Sequence, residues 1–169
     1  MKQLELFVDP KSNIETIESF QWKMFIDGAA RNNPGPAGAG IYILKDSQVF
    51  AQHGFFLGSK TNNQAEYLAL LLGLLLLKPH VRPADAVHIV SDSQLLVRQL
   101  RGEYRIKNAE LKPMHTAGLV MMQKMHAQIF HVLRIDNANA DSMANYGIDH
   151  RVSVPQNLKN ELKQHGISL

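Results

Sequence analysis

Between Trp22 and Leu57 apolar residues come in three short runs separated by polar or glycine-rich stretches, which is the pattern of strands rather than helices. The runs are Trp22 to Asp27, Ala39 to Leu44 and Val49 to Leu57. A glycine-rich turn follows the first, and Lys45-Asp46-Ser47-Gln48 turns the second into the third. The pattern then changes. Thr61 with Gln64 three residues on has the form of a capping box, and the leucine-rich run to about Leu77 lacks breakers except Gly73. Its leucines fall on nearly all sides, so this helix is expected at the buried centre of the fold. Pro79 and Pro83 end it.

Ala86 to Val90 reads as a fourth strand, after which Ser91, Asp92 or Ser93 can cap a helix running to about Leu100. Asn108 to about Met125 is helical in composition, with Pro113 in its early turns. Ile129 to Ile135 reads as a fifth strand, and Asp136 or Asn137 can cap a helix from Ala138 to about Gly147. The order β-β-β-α-β-α-α-β-α predicts an α/β fold, a five-stranded mixed sheet with helices on its faces.

Length and composition fit one soluble globular domain: 169 residues, 45% hydrophobic and 20% charged. Within it, residues 1–21 read as an appendage and linker, 22–150 as the main domain, and 151–169 as a basic tail in which Leu158 and Leu162 share a helical face. The apolar run from Leu68 to Leu77 is too short to span a bilayer, and the N-terminus lacks a continuous apolar stretch, so neither membrane insertion nor a signal peptide is expected. A cytoplasmic protein is the default. With no cysteine in the chain, a metal site must use oxygen or imidazole ligands. The net charge of +3 matters less than its placement: Arg98, Arg101, Arg105, Lys107 and Lys112 face only Glu103 and Glu110 in the stretch they share. That excess suits a polyanionic partner or a solvated face.

Four acids occupy comparable places: Asp27 at the end of strand one, Glu66 one turn into the buried helix, Asp92 at the end of strand four, and Asp141 early in the last long helix. Desolvating a carboxylate is costly without compensation, and four together cannot all stay ionised without cations. Each alone is weak evidence, since an Asp after a strand is more often a helix cap. Together they suit Mg²⁺ or Mn²⁺, and two such ions about 4 Å apart serve in-line phosphodiester displacement.

The segments FIDGAARNNPGPAGAG, TNNQAEYLALLLGL, VSDSQLLVRQLRGEYRIKNAEL and LRIDNANADSMAN, in this order and spacing, resemble type 1 ribonuclease H over about Trp22 to Asp149. The resemblance implies the ribonuclease H fold and endonucleolytic cleavage of RNA in RNA–DNA hybrids, leaving 5′-phosphate and 3′-hydroxyl ends. It implies Asp27, Glu66, Asp92 and Asp141 as ligands of two ions, with Asp27 bridging, one ion activating water and the other stabilising the departing 3′-oxygen. Asn33, Asn62 and Asn63 match positions that read the 2′-hydroxyl in the minor groove. Thr61 and Asn108 match positions that hold a phosphate of the DNA strand, and Thr61 can also be the helix cap.

The chain departs from the best-known family pattern in three ways. HVLRIDNANAD has a short loop without the mobile histidine, His131 aligns inside the strand as a structural residue, and Arg134 matches an arginine of the short-loop branch that contacts phosphate. The basic handle of some members is absent, leaving Arg98, Arg101, Arg105 and Lys107, together with the tail, to grip the hybrid. Residues 1–21 and 151–169 have no family counterpart. Within the first of these, Gln3, Leu4, Leu6 and Phe7 resemble the pentapeptide that docks in the bacterial sliding clamp; the alternative is that LELF packs on the domain itself. Other readings stay open: a hybrid-binding module without hydrolysis, another nuclease or integrase of the same fold, or an enzyme that also cuts double-stranded RNA.

Overall fold

The computed structural model describes residues 17–169, so the Gln3–Phe7 segment lies outside the described residues. Five strands, β1 (Gln21–Ala30), β2 (Gly35–Lys45), β3 (Gln48–Lys60), β4 (Ala86–Ser91) and β5 (Gln128–His131), form one sheet in the order β3-β2-β1-β4-β5. β1, β2 and β3 are antiparallel neighbours, whereas β4 pairs parallel with both β1 and β5. The helices are α1 (Asn62–Leu77), α2 (Gln94–Leu100), α3 (Lys112–Lys124), α4 (Ala138–Asp149) and α5 (Gln156–Gln164).

The expected central helix is α1. Its start is fixed by the capping box: Thr61 Oγ1 accepts the Gln64 N–H at 3.2 Å, and Gln64 Oε1 accepts the Thr61 N–H at 2.9 Å. It packs on β1 and β2 on one side and on α2, α3 and α5 on the other, which is why leucines suit every face. Leu68, Leu70, Leu71, Leu72 and Leu74 are fully buried, and each contributes roughly 2 kcal/mol of hydrophobic stabilisation. Among the described residues no helix is long and apolar enough to cross a membrane.

α4 covers the opposite face of β1–β3, and it lies close because glycines line its bed. A Cβ at Gly40 would stand 1.9 Å from the Ala140 carbonyl oxygen, and one at Gly54 would stand 2.0 Å from that of Met143. This packing revises the expected glycine-rich turn. The chain turns at Arg31–Pro34, and the glycines that follow belong to β2, which starts at Gly35 rather than Ala39. Glycine is poor in an isolated strand, but here its missing side chain admits a helix.

Two other boundaries move. The fifth strand ends at His131, because Arg134–Asn137 forms a 3₁₀ turn that exposes Leu133 and Ile135 instead of pairing them. α3 starts at Lys112, not Asn108: Asn108 Oδ1 accepts the Glu110 N–H at 2.8 Å in a local turn, and Pro113 sits in the first helical turn, where its lost N–H costs nothing. The tail forms α5 and joins the main core, with Val154, Leu158, Leu162 and Ile167 buried.

Candidate active site

Parallel pairing of β1 with β4 sets Ile26 opposite Ser91, so Asp27, still within β1 and paired with Gly40 of β2, comes beside Asp92, the first residue past the end of β4. Glu66 arrives from α1, whose first turns press on β1 at Gly28: a Cβ there would stand 2.1 Å from the Glu66 nitrogen. One carboxylate oxygen from each of Asp27, Glu66 and Asp92 lies within 4.8 Å of the others. Asp141, in the first turn of α4, lines the same cleft of about 390 Å³, and its Oδ1 lies 3.3 Å from Arg134 Nη2. The fold therefore brings all four acids and Arg134 to one cleft.

Asp27 is buried, and desolvation first, then the charges of Asp92 and Asp141, push its pKa up to about 7. Arg134 opposes this shift. Glu66 is raised well above the usual carboxylate range, again by burial first and then by Asp27 and Asp92, with the Gly28 N–H pulling the other way. Its Oε2 is buried without a hydrogen-bond partner among the described residues. Crowded acids, one with an orphaned oxygen, form a set whose charge a hard cation would compensate.

Beside the acids, Asn62 Oδ1 accepts the Ala30 N–H and Asn33 Oδ1 accepts the Asn62 N–H, both at 3.0 Å. With their oxygens so used, these side chains have amide NH₂ groups to offer a ligand. Asn63 is exposed at the start of α1. Thr61 and Asn108 are linked indirectly, since Gln64 Nε2 also donates to Glu110 Oε2 at 3.0 Å.

The basic stretch divides. Arg105 and Lys107 are exposed, and Arg98 donates to the Tyr104 hydroxyl at 2.7 Å and lies 3.9 Å from Glu103. Arg101 donates through Nη2 and Nε to the Ile129 carbonyl at 2.7 and 3.2 Å, covering part of the free edge of β5. His131 ends β5 with its Nε2 3.2 Å from the Asp92 carbonyl oxygen.

Sequence reasoning treated Asn137 only as a cap. It holds the N-cap position of α4 but makes no cap bond; its side chain turns inward to Ile26 and Asp92. Asn145, which anchors on the Asp141 carbonyl at 3.0 Å, and Arg31, which pairs with Asp149, also line the cleft and had no separate signal. A second cleft of about 370 Å³ at the far end of α1 has Leu74, Met121 and Lys124 in its lining and no acid.

The reverse transcriptase-like family profile matches residues 25–147. Ribonuclease HI of Halobacterium salinarum is 34% identical over 127 residues, covering 74% of this chain and 63% of that protein. The crystal structure of RNase H1 from that organism aligns with a TM-score of 0.71, covering 79% of this chain and 99% of that one. Ribonuclease H of Legionella pneumophila is 30% identical, covering 75% of this chain and 96% of its own. LC11-RNase H1, solved in complex with an RNA/DNA hybrid, is 32% identical with a TM-score of 0.69, covering 78% of this chain and 97% of that one. The chain thus spans under two thirds of the Halobacterium protein, and 34% of its mycobacterial relatives. Matched in sequence across Phe25 to Gly147, where all four acids lie, and in fold over most of its length, the chain belongs to the type 1 ribonuclease H family.

Proposed function

We propose that this protein is a divalent-cation-dependent endonuclease that hydrolyses the RNA strand of RNA–DNA hybrids and leaves 5′-phosphate and 3′-hydroxyl ends. The observation that carries the reading is the convergence of Asp27, Glu66 and Asp92 within 4.8 Å, with Asp141 in the same cleft, in a member of this family. The partnerless Glu66 Oε2 and the near-neutral pKa of Asp27 fit a cation site. Asp27, Glu66, Asp92 and Asp141 would hold two Mg²⁺ ions, with Mn²⁺ as the alternative, and bound there the pair supplies activation of water and stabilisation of the departing 3′-oxygen.

The remaining roles fall to the chain's own groups. Asn33, Asn62 and Asn63 offer amides to the 2′-hydroxyl, the group that distinguishes RNA from DNA. Thr61 and Asn108 receive a phosphate of the DNA strand. Arg134 contacts the reacting phosphate in place of the absent loop histidine, and Arg98, Arg105 and Lys107 attract the polyanion. Arg101 shares that charge while bracing β5. Gln3, Leu4, Leu6 and Phe7 are proposed as a sliding-clamp tether, a reading carried by sequence alone and checked by clamp binding of a chain lacking residues 1–9.

The direct test pairs one labelled RNA with DNA, with RNA, or with nothing, and adds Mg²⁺ or Mn²⁺. Internal cuts in the hybrid, lost with chelator and lost by more than about 10³-fold in Asp27→Asn, are the expected result. Cutting of the RNA duplex as well would broaden the substrate class. Hybrid binding without cleavage under either metal would make the protein a binding module and refute the reading.

A further inference from the structure

Asn137 is 1% exposed, a position where an amide must be satisfied or costly. Its Nδ2 donates to the Ile26 carbonyl at 2.9 Å and to Asp92 Oδ1 at 3.0 Å. One nitrogen therefore touches the main chain just before the first acid and the side chain of the third. The residue itself lies four positions, one helical turn, before the fourth acid, at the joint between the 3₁₀ turn and α4.

A capping role does not account for this placement, because no cap bond is made. A plain packing role does not account for it either, since an apolar residue would fill the space without leaving Asn137 Oδ1 buried and without a partner among the described residues. What the two donated bonds do is specific. They occupy Asp92 Oδ1, which fixes the rotation of that carboxylate, and they pin the start of α4 to β1 at Ile26.

From this we infer that Asn137 is a positioning residue, which orients Asp92 and sets the helix of Asp141 against the strand of Asp27 so that the cation-binding oxygens are arranged before any ion arrives. The inference rests on the functional reading above, because it assigns Asn137 a task only if the acids bind cations. Partners that orient metal ligands in this way are typically worth about 10- to 100-fold in metal affinity or activity.

The test compares wild type with Asn137→Ala and Asn137→Ser. The serine keeps a small polar group too short to span both acceptors, and it carries the test if the alanine variant does not fold. Mn²⁺ binding to the substrate-free protein is followed by water-proton relaxation, and kcat, KM for hybrid and Tm are measured alongside. The expected result is Mn²⁺ binding weaker by about 10-fold or more and kcat lower by about 10- to 100-fold, with KM within about 2-fold of wild type. Variants that match wild type in Mn²⁺ affinity and kcat, whatever their Tm, overturn the inference alone. A wild type that neither binds Mn²⁺ nor cleaves hybrid overturns the functional reading on which it rests.

Discussion

Asp27 and Asp85 are equally buried, each 6% exposed, yet they sit in opposite electrostatic surroundings. At Asp85, Oδ1 accepts the Phe20 N–H at 2.8 Å, while Oδ2 accepts the Arg82 N–H and the Trp22 indole N–H, both at 2.9 Å. Burial would raise its pKa, but these donors and the Arg82 guanidinium hold it below the usual carboxylate range. Arg82 also stacks on Phe20 at 4.1 Å, so this carboxylate fastens the entry to β1 onto the loop before β4. Asp27, further along β1, faces Asp92, Asp141 and Glu66 instead of donors. Burial alone does not mark a functional acid. The partners distinguish the two: Asp85 is satisfied by the protein's own donors, and Asp27 is crowded by like charges.

Exchanging the two outcomes by mutation should separate stability from chemistry. The largest loss of stability expected from a substitution is at Asp85. Asp85→Ala leaves the Trp22 indole and two main-chain N–H groups without their acceptor and should cost about 3 kcal/mol in denaturant unfolding. Cleavage per folded molecule should stay at the wild-type rate. A change at Asp27 should do the reverse, removing cleavage while sparing the fold. A smaller effect sharpens the picture at the cleft's rim. Arg134 is mostly exposed and its bond to Asp141 is long, so Arg134→Ala should leave stability within about 0.5 kcal/mol. If it contacts the reacting phosphate, kcat should fall by roughly 10-fold with KM little changed, a loss of about 1.4 kcal/mol in transition-state stabilisation.

Much of this arrangement was legible in the residue pattern. Short apolar runs bounded by turns pointed to the five strands, and the all-round leucines of α1 to its central place. The four acids could be picked out because each follows a strand or opens a helix, and because the motifs around them resemble one family in order and spacing. What stayed hidden depends on contacts between distant segments. Gly38 read as part of a turn until α4 lies on it, where a Cβ would stand 2.3 Å from the Ala144 carbonyl oxygen. Leu133 and Ile135 read as strand residues because hydrophobicity does not say that the sheet has already ended at His131. Arg101 looked like any other cation of its stretch, although the Ile129 carbonyl on the edge of β5 claims it. Asn137 was masked by a local role it could have filled.

Burial and the neighbouring acids disfavour the charged form of Asp27, which a bound cation would relieve, and unfolding of the metal-free protein as a function of pH reads this balance. Burial and its neighbours raise the pKa of Asp27 from 3.8 to about 7, so in that window the folded state holds a proton that the unfolded state has released. The stability this confers is fully present below the unfolded pKa and is lost as pH rises through the folded one, up to roughly 4 kcal/mol from this group. The account predicts that wild type, without divalent ions, weakens relative to Asp27→Asn as pH rises from about 4 to 8, and that Mg²⁺ at pH 8 restores wild type but not the variant. Wild type and Asp27→Asn with parallel pH profiles, and no response of either to Mg²⁺, would contradict it.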